Sequence, residues 1–177
     1  MSACLQFRAA TSEDAPLISA LHVESWRSAY RDILSAQYLA GPVESERHAV
    51  WRSRLASPHP ERKLMLLAED HGAAVGFVCV LLDEEPQWGA RLDNLHVRPS
   101  LKRAGVGRQL LRRAGAWVAQ REPSWAMHLF VFEANLGARK FYDATGGEAV
   151  ERSFDVASDG TRQWLLRYLW RTPGAIA

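Results

Sequence analysis

Seven consecutive residues, Lys102-Arg103-Ala104-Gly105-Val106-Gly107-Arg108, combine two properties that hold a phosphate: a backbone able to turn its N–H groups outward, and positive charge around it. Glycine reaches φ > 0 and has no Cβ, so an anion can approach the main chain. Val106, Leu110, Leu111, Ala114, Trp117 and Val118 then recur at helical spacing on one face, with Arg108, Arg112 and Arg113 mainly on the other. A helix starting here leaves its first N–H groups without carbonyl partners, beside the positive end of its dipole. The spacing also says which phosphate sites are missing. There is no GxxxxGKS or GxxxxGKT to put a lysine on a transferable γ-phosphate, and Leu110 stands where a dinucleotide fingerprint needs its third small residue. A plain strand–loop–helix connection with surface arginines is the competing reading.

Lys102 to Gly107 is similar to the coenzyme A pyrophosphate loop of the GNAT superfamily of N-acetyltransferases, Gln/Arg-x-x-Gly-x-Gly/Ala, with Lys102 at the position where Gln or Arg is usual. LHVRPSLKRAGVGRQLL resembles that family's fourth strand, loop and third helix, and LFVFEANLGARKFYDATGGEAV its fifth strand and fourth helix. The resemblance implies acetyl-CoA as cofactor. It would be held by the backbone of Leu95 and Val97, by the loop residues Lys102, Arg103, Ala104, Gly105, Val106, Gly107 and Arg108, and by Asn135 and Ala138. The resemblance also puts the Leu95 N–H where it would face the thioester oxygen as an oxyanion donor. Tyr142 falls at the family position of the acid that protonates the departing thiolate, beside the cofactor.

An alkylammonium acceptor, with a pKa near ~10, must lose a proton before it attacks. Asp93, His96 and Glu24 are the candidate bases. Strict alternation puts Asp93 and Leu95 on one face of their strand and Asn94 and His96 on the other, so at most one of Asp93 and His96 faces the site. RAATSEDAPLISALHVESWRSAY looks like the opening of many GNAT chains, whose first helix shapes the acceptor site. Trp26 and Tyr30, four apart on a helix face, are the substrate-side candidates, with core packing as their alternative role. An aromatic face there, together with the acidic connection Asp83-Glu84-Glu85, favours a small cationic amine. Neither Cys4 nor Cys79 carries the signature of an activated nucleophile, so direct attack in a ternary complex is expected. Two other readings stand beside this one: a noncatalytic acyl-CoA-binding module that kept the cleft, and an acetyltransferase for protein N-termini or amino acids.

The elements that must position these residues read as an α/β fold with one N-acetyltransferase domain over residues 1–177. Strands are expected over 5–8, 64–68, 74–82, 88–97, 126–132, 148–156 and 162–170. Helices are expected after Thr11, over 38–56 with an interruption at Gly41-Pro42, from Val106, and over 133–145. The GNAT arrangement is a mixed, mostly antiparallel twisted sheet flanked by about four helices, with a central βαβ crossover. The last strand is apolar on both faces, so it is either buried on both sides or covered by a second subunit in a homodimer. A net charge of +2, with the arginines dispersed, argues against a nucleic-acid partner. The histidines and two cysteines show no metal-ligand spacing, so no metal is expected. The longest apolar stretch is too short for a membrane span, and MSACLQFRAA does not read as a signal peptide, which makes the expected location cytoplasmic.

Overall fold

Along the third strand, β3 (Ala73–Glu85), Val75, Val78 and Val80 belong to one apolar cluster, and Ala74, Phe77 and Cys79 to another. A strand apolar on both sides needs cover on both faces, and the chain supplies it. The structure, a computed structural model, describes residues 5–57 and 60–176. Its other strands are β1 (Leu5–Ala9), β2 (Lys63–Asp70), β4 (Gly89–Val97), β5 (Met127–Phe132), β6 (Glu148–Val156) and β7 (Arg162–Trp170). Its helices are α1 (Ala15–Ala29), α2 (Ala36–Ala40), α3 (Pro42–Ala56), α4 (Val106–Arg121) and α5 (Leu136–Asp143). Helix α4 closes one face with Val106, Leu110, Leu111, Ala114 and Val118. Helices α1 and α3 close the other, with Ile18, Leu21 and Trp51 against Leu67 and Phe77.

The sheet runs β1-β2-β3-β4-β5-β7-β6, and every pairing is antiparallel except β4 with β5. That parallel pair is the crossover carried by α4, and it is short. Ala90 pairs with Met127 and Arg91 with His128, after which the strands separate. The closed end is tight. Gly89 sits at φ 84, where a Cβ would lie 2.1 Å from the Ala126 carbonyl oxygen, and the Ala90 N–H donates to that oxygen at 2.9 Å. Leu92 to Val97 therefore keep one edge free of β5.

Three expectations change. The acidic run is not a connection: β3 continues to Glu85, and Glu85 makes a bidentate pair with the buried Arg167 of β7. The interruption at Gly41-Pro42 is a full break, so the helix expected over 38–56 is α2 followed by α3. Strict alternation fails on β4, because Cys79 pairs with Asn94 and Val80 with Leu92, leaving Asp93 as an extra, bulged residue. The bulge shifts the phase. Leu92, Leu95 and Val97 share the α4 face, while Asp93 and His96 both meet residues of the α1/α3 face.

Strand β7 lies inside the sheet, with Leu166, Tyr168 and Trp170 in the α4-side core. Towards the turn of its hairpin with β6, Phe154, Val156 and Trp164 are exposed. Among the described residues no helix is long and apolar enough to cross a membrane, and no group of three or more His, Cys, Asp or Glu is placed to hold a metal ion.

Candidate active site

The loop before α4 has the backbone conformation that its glycines allow. Arg103 and Gly105 both have left-handed backbone, at φ 71 and 82. Around Gly105 a Cβ would meet nothing within 4 Å, so dihedral preference, not crowding, calls for glycine there. The N–H groups of Arg103, Gly105, Val106, Gly107 and Arg108 find no acceptor among the described residues, whereas Gln109 is the first to bond back, to the Gly105 carbonyl at 3.1 Å. Lys102, Arg103 and Arg108 are exposed and form no ion pair among the described residues. A row of free donors at the positive end of a sixteen-residue helix, with three cations around it, fits a diphosphate. Gly107 faces Val97 and Phe141, whose side chains would lie 3.7 and 3.6 Å from a Cβ there. The loop thus adjoins the end of β4 and helix α5.

Leu95 and Val97 pack on the α4 side, and their strand edge beyond Arg91 is unpaired with β5. Asn135 caps α5, accepting the Ala138 N–H at 3.2 Å. Tyr142 is held by Phe141, Tyr168 and Trp170, at 5.5, 5.5 and 5.6 Å between ring centroids. Its hydroxyl makes no hydrogen bond among the described residues. Burial, reinforced by the neighbouring Tyr30 and Tyr168 hydroxyls, raises its pKa well above the usual phenol value and keeps it protonated. Tyr30 is raised by burial to about 12. It packs on Phe132 at the end of β5 and on Trp26, at 5.1 and 5.2 Å. Tyr30 therefore bridges α1 and the open end of the β4–β5 gap.

On the α1/α3 side the structure assembles a cluster that sequence patterning touches only in part. His96 stacks on His22 at 4.3 Å, and its Nδ1 lies 3.0 Å from the Ser25 hydroxyl. Burial, with Arg47 and Lys102 adding to it and Asp93 opposing, lowers the pKa of His96 to about 3, so it is neutral near pH 7. His22 is pushed down as well, by burial first and then by His96, Arg47 and Arg54. Trp26 lies edge-on to His22 at 4.9 Å, and the Arg47 guanidinium covers the Trp26 ring at 4.7 Å. The Trp26 face is thus already occupied by a cation of the protein itself. Trp26 and Tyr30 come together as expected, whereas His22, Ser25 and Arg47 were missed. For His22 the signal was its position four residues before Trp26 on one helix face; nothing local marks Arg47.

The other candidate bases are engaged. The Asp93 carboxylate accepts from Arg54 and from the Asn94 amide, both at 2.5 Å, and lies 3.3 Å from Arg91. Glu24 pairs with Arg98 at 3.1 Å and lines a groove between α1 and α3 on the outside of the molecule. Glu84 and Glu85 sit by Arg91 and Arg167 at the closed end of the β4–β5 pair, away from its opening. Cys79 is buried, which raises its thiol to about 12. Cys4 lies outside the described residues.

Residues 23–146 match the family model described as "Acetyltransferase (GNAT) family". An uncharacterized N-acetyltransferase of Bacillus subtilis, YuaI, is 30% identical over 154 residues, covering 85% of this chain and 84% of that protein. A probable N-acetyltransferase of Mycobacterium tuberculosis, Rv2775, is 31% identical over 139 residues, covering 78% and 77%. The crystal structure of the PaiA N-acetyltransferase of Thermoplasma acidophilum in complex with coenzyme A superposes with a TM-score of 0.74 at 17% identity, over 94% of this chain and 99% of that one.

Proposed function

The chain belongs to the GNAT family of acetyltransferases and is an acetyl-CoA-dependent N-acetyltransferase, and from that premise we propose that it acetylates a primary amine by direct attack in the gap between β4 and β5. The observation that carries this reading is the edge of Leu92 to Val97 left unpaired with β5, next to the donor row before α4, which meets it where Gly107 faces Val97. Bound acetyl-CoA supplies a thioester whose acyl carbon is open to an amine.

The loop N–H groups and Lys102, Arg103 and Arg108 hold the diphosphate, while the main chain of Leu95 and Val97 aligns the arm that carries the acetyl group. The Leu95 N–H donates to the carbonyl oxygen as negative charge grows there. Tyr142 gives its proton to the sulfur as the C–S bond breaks, and its hydroxyl is free of any partner that would hold that proton back. On the amine side, His96 is neutral but, with a pKa of about 3, too weak a base to hold the ammonium proton, so it orients the amine by accepting a hydrogen bond while solvent takes the proton. In the tautomer this requires, the Nδ1–H donates to the Ser25 hydroxyl 3.0 Å away and Nε2 accepts from the amine or an intervening water. Asp93, bound by Arg54, Arg91 and Asn94, positions the strand and stays out of proton transfer. Glu84 and Glu85 of the acidic run and the Trp26 face, which favoured a cationic acceptor, are respectively paired at the closed end and covered by Arg47. The exposed Phe154, Val156 and Trp164 support a homodimer through the β6–β7 hairpin, which sedimentation of a Trp164→Glu variant checks.

Release of thiol from acetyl-CoA against a panel of amines tests the reading. Amine-dependent release is expected. Tight binding of acetyl-CoA by calorimetry with no release for any amine would leave a noncatalytic acyl-CoA-binding module in its place.

A further inference from the structure

Three buried atoms in the cluster around His96 can only donate hydrogen bonds, and none has an acceptor among the described residues. The Trp51 indole N–H donates to His22 Nδ1 at 2.9 Å, so the neutral His22 ring carries its proton on Nε2. That Nε2–H is sealed from solvent without a partner, in a residue only 1% exposed. The Trp26 Nε1–H is orphaned in the same way, 4.9 Å away between ring centroids, and so is the Nε–H of Arg47, whose guanidinium lies over the Trp26 ring. Buried donors without acceptors are rare enough to need a reason.

Arg47 strengthens the case. Its side chain is 16% exposed and makes no hydrogen bond among the described residues, and the nearest carboxylate oxygen, Glu46 Oε2, is 3.8 Å away and already accepts from the Tyr38 hydroxyl at 2.6 Å. Arg47, Arg54 and Lys102 lie close enough to the two stacked imidazoles to depress them, and Asp93 close enough to His96 to oppose. Asp93 is already paired with Arg54, Arg91 and Asn94. The corner formed by His22, Trp26, Arg47 and His96 is thus positively charged and short of acceptors. A carboxylate has the matching chemistry: it brings acceptor lone pairs and a negative charge suited to a guanidinium.

We propose that a shift of the Arg47 side chain off the Trp26 ring opens His22, Trp26 and Arg47 into a carboxylate subsite, and that the acceptor is a free amino acid, an amine that carries its own carboxylate. The proposal rests on the acetyl-transfer reading above and narrows its acceptor. It replaces the cationic preference, because a polyamine placed here would meet donors and a guanidinium with nothing to accept from its ammonium groups. It also separates the tasks of the stacked pair, with His22 donating to the carboxylate and His96 facing the amine.

The experiment compares, in the wild-type protein, each common L-amino acid with its own carboxamide and its decarboxylated amine, with spermidine and an aminoalkylphosphonate as further arms. An amino acid that turns over is expected to exceed its carboxamide by about 10- to 100-fold in kcat/KM, mainly through KM, the range of a lost charge-assisted hydrogen bond. Arg47→Gln should bring that ratio close to one, and Arg47→Lys should keep part of it, with acetyl-CoA affinity unchanged in both. A second readout needs neither cofactor nor turnover. In protein labelled with 15N-tryptophan, the Trp26 indole resonance, picked out from the seven tryptophans with Trp26→Phe, should move downfield on titration with the amino acid and stay in place with its amide. Binding of acetyl-CoA and turnover of amines, with acids and amides equal or spermidine preferred, would overturn the carboxylate subsite and leave acetyl transfer standing. Preference for the aminophosphonate would overturn the carboxylate assignment. Failure of acetyl-CoA to bind would overturn the underlying reading, and the subsite with it.

Discussion

The two halves of the cleft are made of different material. The cofactor half is backbone: a left-handed turn at Arg103 and Gly105 and five free N–H groups leading into α4. The proposed acceptor half is side chain: His22, Trp26, Arg47 and His96, contributed by α1, α3 and β4 and held by stacking and burial. A backbone site depends on local dihedrals and tolerates exchange of the surrounding side chains. A side-chain site depends on how helices pack and changes with single residues. The contrast says where a family varies its substrate without disturbing its cofactor, and substitutions that separate the two halves test it.

The largest effect should come where the halves meet. Tyr142→Phe keeps the ring contacts with Tyr168 and Trp170 and removes only a hydroxyl that makes no hydrogen bond among the described residues, so folding and acetyl-CoA affinity should hold while kcat falls by roughly 10²–10⁴. Full turnover at saturating substrates would take Tyr142 out of the chemistry. Next comes the cofactor half alone. A Cβ at Gly107 has ordinary contacts of 3.6 Å and more, so Gly107→Ala should bind acetyl-CoA nearly as well as the wild type. Gly107→Glu puts a negative charge among the free N–H groups and should weaken binding by roughly 100-fold in calorimetry. The Trp26 indole resonance should be unchanged in both, and a shift there would mean that the halves are coupled.

The acceptor half should betray itself by its pH dependence. His22, His96 and His128 all have folded pKa values below the ordinary 6.5, with His96 near 3 and His128 near 4, chiefly through burial. The unfolded chain therefore takes up protons first. Stability is full above about pH 6.5 and falls below it, by up to about 1.4 kcal/mol per pH unit for each histidine, with the His128 share ending near pH 4 and the His96 share near pH 3. Denaturant titrations between pH 7 and 5 measure this, and a flat profile would contradict the buried neutral pair. The same depression removes His96 from the pH–rate curve: the acidic limb should track the ammonium pKa of each amine, and a fixed limb near 6.5 that disappears in His96→Ala would contradict it. The smallest effect concerns Cys79, whose buried thiol is held at about 12. Cys79→Ala should lower stability by about 1 kcal/mol and leave turnover intact; a trapped, kinetically competent acetyl-Cys79 would end the direct-attack reading.

The same contrast explains what could be read before the structure. The phosphate loop, the α4 face and the β6–β7 hairpin are written in neighbouring residues, and β6 and β7 begin and end where the hairpin around Ser158-Asp159-Gly160 was expected to place them. The bulge at Asp93 could not be read this way, because it exists only in the pairing of β4 with β3. The acidic run misled for a related reason. Asp and Glu are poor strand residues, yet Arg167, 5% exposed and eighty-two positions away, holds Glu85 in the sheet. Arg47 was invisible because its meaning depends on α3 lying across α1, a fact of packing that no spacing records.

Gly89 turns the closed end of the β4–β5 pair into a fulcrum. From there to Val97 the strand runs about 25 Å, at the usual rise per residue, so a few degrees of rotation at the pivot move the far end by an ångström or more. Any side chain at position 89 must push away the Ala126 carbonyl, which a Cβ would meet at 2.1 Å, and the lever carries that push to Leu95 and His96. A methyl group that touches neither cofactor nor amine would thus misalign the two substrates by a distance that costs about 10²-fold in rate. The width of the cleft mouth is set at its opposite end, by an atom the chain leaves out.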